Sequence, residues 1–544
     1  MVARAELTRR AIAMGRRGMI ATEHPLATAA GLDALERGGN AMDAALAAAL
    51  TTGVVLPAMA GPGADAFCIY YEASSGTVTA INGSGRAPSR ATRDYFIERG
   101  YEKMPFIGPL AVSVPGAVDV YFTAIERFAT MSAEELFEPA IYYAEHGFPL
   151  THTGHKTIKN SSARLAEFPE SAAIYLPNGA APEPGSMLKN PNLARSLRLL
   201  VAEGRDALYR GALAKEIDRW MRDNGGLLTA EDMRDHESTV YSPPSTDYRG
   251  YTVYETAPPS QGVIVLEELN IVANADLAEL GPGSADAIHL LVEAKKRAYS
   301  DRLAYCGDPA FVDVPMDVLT SPEFGRRRFD TIDMALAQQV PEPGLLAEAL
   351  GDTTYLCAVD GDGNAVSFIH SLSAGFGCQA VAGNTGFLLN NRAGRGFTLE
   401  EGHPNVIAPG KKTMHTLNCY LITEGGRPRW VGGTPGGDGQ PQWNLQVITN
   451  LIDHEMDVQS AIEAPRWTSF PGTDPAGLPN DFVLRLERRV GAEVIAELER
   501  RGHTVVVQDD WAGGGSVQLI EIDPETGVFY GGSDARTEGL ALGF

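Results

Sequence analysis

Apolar residues in GLDALERGGNAMDAALAAAL (31–50) recur at helical spacing on both sides of Gly38 and Gly39. This predicts two helices, with Asn40 able to cap the second. The longest apolar stretch, Ala44 to Ala60, is Ala-rich and interrupted by Thr51, Thr52 and Gly53. It is shorter than a membrane span and predicts a buried helix. AFCIYYEASSGTVTAIN (66–82) then predicts two strands joined by a turn at ASSG. From about 130 to 235 the pattern is largely helical, including LARSLRLLVAEGRDALYRGALAKEIDRWMRDNG. Ser284 can cap a long helix, ADAIHLLVEAKKRAYSDRLAY, that stops before Gly307-Asp308-Pro309.

The stretch 338–352, QQVPEPGLLAEALGD, carries Pro and acidic residues without a strand pattern and predicts an exposed, mobile connection. Beyond it the pattern turns to β: TTYLCAV, NAVSFIHSL, GFLLNN, NCYLITE and RWVGGT read as strand segments between Gly-rich turns. Helices are expected over about 442–464 and 485–502, and closing strands around SVQLIEI and GVFYGG. Blocks of this kind predict stacked layers rather than a βαβ repeat.

Composition adds exclusions. Lys and Arg total 45 against 69 Asp and Glu, a formal charge of −24, which argues against nucleic acid and anionic membranes as partners. Five widely spaced cysteines (68, 306, 357, 378, 419) form no disulfide or zinc pattern and predict buried thiols. The basic N-terminus lacks the apolar run of a signal peptide, so a cytoplasmic location is expected.

Most candidate motifs weaken under inspection. DGDGN (360–364) has Ala365 and Ser371 where a calcium loop needs Gly and Glu, and predicts a hairpin turn instead. GPGADA (61–66) follows a helical run rather than a strand, unlike a dinucleotide loop. His152 and His155 lack a second cluster and suit a surface loop, so no metal or cofactor is expected. There remain Thr353 and Thr354, at the start of a strand. β-Propensity alone accounts for such a pair. A chemical role needs a base, and an N-terminal threonine carries one in its own α-amine. Thr353 reaches that state only if the Asp352–Thr353 bond is cut.

GDTTYLCAVDGDGNAVSF, FLLNN and GGTPGGDGQPQ, joined in order by GLDALERGGNAMDAALA, GRAPSRATRD, VPGAVDVY, PPSQG, EAKKRAYSDRLAYCGDP, AIEAPRW and GGSDARTEGLALGF, resemble the γ-glutamyltransferase family of N-terminal nucleophile hydrolases. The resemblance covers nearly the whole chain. It implies an α/β (α+β) fold, a four-layer αββα sandwich, and a precursor that cuts itself into chains 1–352 and 353–544. These would stay packed as one heterodimer, with further dimerisation open. Thr353 would be the nucleophile, steadied by Ser371, with Thr354 fixing the new terminus. Backbone N–H groups of Gly436 and Gly437 would line the oxyanion hole.

Departures from the family pattern bear on the substrate. The carboxylate-binding arginine of a γ-glutamyl donor falls on Ser84, and its serine pair on His415 and Thr416. NNRAGRGF has Arg392 and Arg395 where the family holds the donor amine with an acidic residue. Arginine suits an anionic acyl group, and Ser373 joins the expected substrate-binding set. NNRxxxxF, HTLN and GGxGQPQ resemble the amidohydrolase branch, which includes oxamate amidohydrolase and cephalosporin-type acylases. A small-molecule amide with a carboxylate-bearing acyl group is the expected substrate. A true γ-glutamyltransferase or glutathione hydrolase, and an uncleaved or biosynthetic homologue, are the alternatives.

Overall fold

The computed structural model describes residues 8–338, 353–470 and 482–544. Asp352 and the connection from 339 onward therefore lie outside the described residues. Two seven-stranded sheets, each antiparallel throughout, face one another. The first runs Leu540–Gly543, Gly18–Thr22, Thr354–Asp360, Ala365–Ser371, Asp65–Glu72, Thr77–Asn82, Thr239–Tyr241. The second runs Ala13–Gly15, Phe529–Ser533, Gln518–Ile522, Arg427–Gly433, Tyr420–Glu424, Tyr251–Tyr254, Ser245–Tyr248.

The strand behind Thr353 shows why these layers form. Its side chains alternate between faces. Tyr355, Cys357 and Val359 meet Leu421, Val431 and Ile520 of the other sheet, whereas Leu356 and Ala358 pack under helices. Both faces are apolar, so the strand is central and fully buried. Helices Pro25–Glu36, Ala41–Val55, Ala117–Phe128 and Ala133–His146 cover the first sheet. Gly262–Val272, Ala285–Tyr305 and Gln440–Ile452 cover the second. The result is the expected αββα sandwich.

Local chemistry sets several of these elements. Asn40 caps Ala41–Val55 in a reciprocal capping box with Asp43, a device worth about 1 kcal/mol. Every residue of that helix is buried, and the N–H of Ala41 donates to Asp360 Oδ2 at 2.8 Å, fastening the helix to the far end of the Thr354–Asp360 strand. Asp360 also accepts from the N–H groups of Asp362 and Asn364, closing the DGDGN hairpin. All five cysteines are buried and free.

Some expectations need correcting. GFLLNN forms a single bridge, Val381 to Leu388, rather than a strand, because the Asn390 amide turns the backbone toward Ser113 and Gly63. The stretch 485–502 holds the strand Leu484–Glu487 before the helix Ala492–Arg500, and 442–464 is two helices, Gln440–Ile452 and Val458–Glu463. His152 and His155 stand in the first turn of the helix His152–Leu165, capped by Thr151, and not in a loop.

Candidate active site

Thr353 is buried immediately before the strand Thr354–Asp360. Thr354 pairs with His370, and Ser371 pairs in turn with Asp65. Three neighbouring strands thus bring Thr353, Ser371 and Asp65 to one end of the first sheet. The Thr353 hydroxyl donates to Ser371 Oγ at 3.2 Å. Ser371 Oγ also accepts the N–H of Ser373 at 2.8 Å. Ser373 sits at φ 89°, a left-handed conformation unusual for a residue with a Cβ. Backbone strain of this kind persists where surrounding contacts impose it; here the Arg395 guanidinium holds the Ser373 carbonyl. Tyr355 N–H donates to Glu23 Oε1 at 3.1 Å beside the same strand end.

Asparagines 390 and 391 pin the turn that presents the arginines. Asn390 Oδ1 accepts from Ser113 N–H and Arg392 N–H, both at 3.1 Å, and Asn391 Oδ1 accepts from Ala374 N–H at 3.0 Å. Arg392 and Arg395 follow in the short helix Arg392–Gly396, both buried. Arg392 donates to Thr416 Oγ1 at 3.2 Å and lies 3.8 Å from Asp65 Oδ2. His415 Nδ1 faces the N–H of Leu417 at 3.4 Å, so Nε2 carries the proton and donates to Asp65 Oδ2 at 3.1 Å. Burial, then Arg392 and Arg395, hold the His415 pKa well below its ordinary value, and the ring is neutral.

Ser84, Thr416 and the Gly-rich turn complete the surroundings. Ser84 is buried, and its Oγ has no hydrogen-bond partner among the described residues. The next residue, Gly85, donates its N–H to Asp65 Oδ1 at 3.1 Å. Gly436 and Gly437 follow the strand Arg427–Gly433 with φ 127° and 57°. They join this assembly through Gln261, whose amide donates to Thr416 O at 2.6 Å and Gly437 O at 2.9 Å.

The gamma-glutamyltranspeptidase family model matches residues 27–544. A glutathione hydrolase-like proenzyme, YwrD, of Bacillus subtilis is 38% identical over 537 residues, 97% of this chain and 99% of that protein. The chain belongs to the gamma-glutamyltranspeptidase family. It is also 35% identical to the oxamate amidohydrolase proenzyme of Klebsiella pneumoniae, over 97% of this chain and 98% of that one. Among solved structures, the cephalosporin acylase of Bacillus halodurans superposes with a TM-score of 0.92 at 35% identity, covering 100% of this chain and 98% of the other. The sandwich is therefore the N-terminal nucleophile hydrolase fold of an enzyme family whose named relatives are hydrolases and acylases of amide bonds. No helix among the described residues is long and apolar enough to cross a membrane.

Within this family fold, the sequence reading missed Asp65. No carboxylate follows LLNN, yet the structure brings one to Arg392 from a strand more than 300 residues earlier in the chain. Burial raises the Asp65 pKa from 3.8 to about 7, with Arg392 opposing that rise. A raised carboxyl favours folding when protonated; that contribution is complete below pH 3.8 and lost as pH rises through about 7. Asp65→Asn does not titrate, so its stability relative to wild type should climb between pH 4 and 7 and then level off. The rise is roughly 1–2 kcal/mol from pH 5.5 to 7, read as a pH-dependent difference in unfolding midpoint. A difference that stays flat, or falls, over that interval contradicts the raised pKa.

Among the described residues, one cluster has metal-ligand composition. His289, Glu293 and His503 place ligand atoms within 4.8 Å of one another. Lys296 at 2.6 Å and Arg297 at 3.0 Å already take the two Glu293 carboxylate oxygens, and the two imidazoles bond to each other at 2.8 Å. The cations neutralise the one anionic ligand, and Glu293, Lys296 and Arg297 form an ion-pair network that also anchors Gln338.

Proposed function

We propose that this chain is a self-processing amidohydrolase acting on amides of a small acyl group that carries a carboxylate. The Thr353 hydroxyl attacks the Asp352 carbonyl, the peptide nitrogen leaves as the new α-amine of Thr353, and water opens the resulting ester. Chains 1–352 and 353–544 remain associated as a heterodimer. In turnover, the α-amine takes the hydroxyl proton as Thr353 attacks the substrate amide. The amine passes that proton to the leaving nitrogen, and water then releases the acid from the acyl-enzyme. N–H groups of Gly436 and Gly437 are assigned to the oxyanion, and Arg392 and Arg395 to the acyl carboxylate.

The observation that carries this reading is the convergence of two buried arginines on the strand end that holds Thr353 and Ser371: Arg395 through Ser373, which bonds Ser371, and Arg392 through Asp65, which pairs with Ser371. A paired set of acyl amides, one ending in carboxylate and one in a neutral isostere, tests it. Arg392→Ala should raise KM for the anionic donor by about 10- to 100-fold, as loss of a charged hydrogen bond of about 1.5–3 kcal/mol requires. KM for the neutral donor should hardly move. Equal increases for both donors exclude charge recognition by Arg392.

A γ-glutamyl donor is the second reading. The observation favouring it is Asp65, a carboxylate beside Arg392 that is able to meet an ammonium. Activity on a γ-glutamyl anilide equal to that on the anionic acyl amide would decide for it. A chain that remains whole after prolonged incubation would decide instead for a non-catalytic homologue.

A further inference from the structure

We propose that Gln261, oriented by Arg302, is a positioning residue that holds the glycine turn and the acyl-binding wall in register for catalysis. This rests on the assignment of Gly436 and Gly437 to the oxyanion.

Gln261 is fully buried at the start of the helix Gly262–Val272. One amide nitrogen donates to two carbonyls from separate segments, Thr416 O and Gly437 O. The amide oxygen accepts from the Arg302 guanidinium. A cation can meet only the oxygen end of an amide, and a carbonyl only the nitrogen end, so these three contacts leave one orientation for the side chain. The backbone repeats the seam: Gln261 N–H donates to His415 O at 2.9 Å, and His415 N–H to Pro259 O at 2.6 Å. Arg302 comes from the helix Ala285–Tyr305 and also reaches Asp438 Oδ1, the residue after the two glycines. From one turn earlier, the Tyr299 hydroxyl donates to the Asp438 carbonyl.

The glycine turn needs such a brace. Gly436 and Gly437 both have positive φ, and glycine has the widest backbone freedom of any residue. Donors that stabilise a developing oxyanion act by being fixed in advance, without reorganising during the reaction. The Gly437 carbonyl lies in the peptide that leads to Asp438, so Gln261, with Arg302 and Tyr299 on Asp438, anchors the C-terminal end of the turn. The same Gln261 nitrogen holds Thr416, whose hydroxyl receives Arg392. Acyl recognition and oxyanion stabilisation are thereby tied to a single side chain that touches neither.

The test compares Gln261→Glu, Gln261→Met and Arg302→Met with wild type in the processed enzyme. The glutamate keeps the bond to Arg302 but sets an oxygen against two carbonyls; the methionine keeps volume without hydrogen bonds. Turnover is expressed per Thr353 titrated by a covalent acylating probe, so that misfolded protein is not counted. Expected is a fall in kcat of about 10- to 100-fold per titrated site, smaller than outright removal of an oxyanion donor, with KM for a neutral donor within about threefold and KM for the anionic donor raised by more than that. Arg302→Lys, which restores one donor to the Gln261 oxygen, should recover part of the loss seen in Arg302→Met. Per-site kcat within twofold of wild type in the soluble variants overturns the proposal, as does a loss confined to the titrated fraction. Should Arg302→Met fail to fold, the two Gln261 variants decide alone. A wild-type protein in which the probe never labels Thr353 overturns the nucleophile assignment itself, a different result from labelled variants with unchanged turnover.

Discussion

Thr353→Ala should remain one unbroken 544-residue polypeptide and hydrolyse no amide, whereas Thr353→Ser should be cut and retain part of the activity. The same hydroxyl is assigned to both bond cleavages, so its removal abolishes processing and turnover together. For a nucleophile acting with its own base, the loss in kcat is on the order of 10⁶. The fold should survive. Among the described residues Thr353 gives one side-chain hydrogen bond, to Ser371 Oγ, and that oxygen keeps the Ser373 N–H when the hydroxyl is gone. Serine supplies the oxygen without the γ-methyl group that restricts χ1, so the attacking rotamer is populated less and both steps slow. A denaturing gel, N-terminal sequencing of the smaller chain and an amide assay read the three outcomes. A Thr353→Ala protein that is cut at 352–353 and active would end the nucleophile assignment.

Much of this arrangement was legible because its causes are local. Asn40, the ASSG turn, Ser284 and the DGDGN hairpin each act within a few residues, and each stands where the pattern places it. The paired threonines were legible as a strand start, and the family resemblance carried the rest of their meaning. Features assembled from distant segments were not. Asp65 meets His415 across 350 positions, and Gln261 meets Gly437 across 176. A sequence signal for Asp65 did exist: it is the one charged residue at the mouth of DAFCIYY, a strand otherwise buried almost throughout. A carboxylate there must find a partner or protonate. GFLLNN misled for the opposite reason. Its apolar residues are buried, but its asparagines compete for the backbone and bend it away from a ladder.

Gly436→Ala should fold and yet lose about 10²- to 10³-fold in kcat, the range seen when an oxyanion donor is displaced. At φ 127° the position is one that residues with side chains rarely adopt. A Cβ there would lie 2.1 Å from the Trp443 ring. That ring has little room to yield. Its Nε1 donates to Thr468 Oγ1 at 3.0 Å, and Gly439, Gly514 and Gly515 pack against its other atoms. The turn must therefore give way, carrying the Gly436 and Gly437 N–H groups off the position assigned to the oxyanion. Gly402→Ala is the control for strain without collision, having φ 83° and nothing within 4 Å of its would-be Cβ. It should cost about 1–2 kcal/mol of stability and leave kcat unchanged. Because the tetrahedral intermediate of the proposed self-cleavage would need the same kind of stabilisation, Gly436→Ala should also slow the appearance of the two chains, measured as a time course from freshly folded precursor. Unchanged kcat in a folded, processed Gly436→Ala enzyme would remove this turn from the chemistry and send the search for the oxyanion donors elsewhere around Thr353.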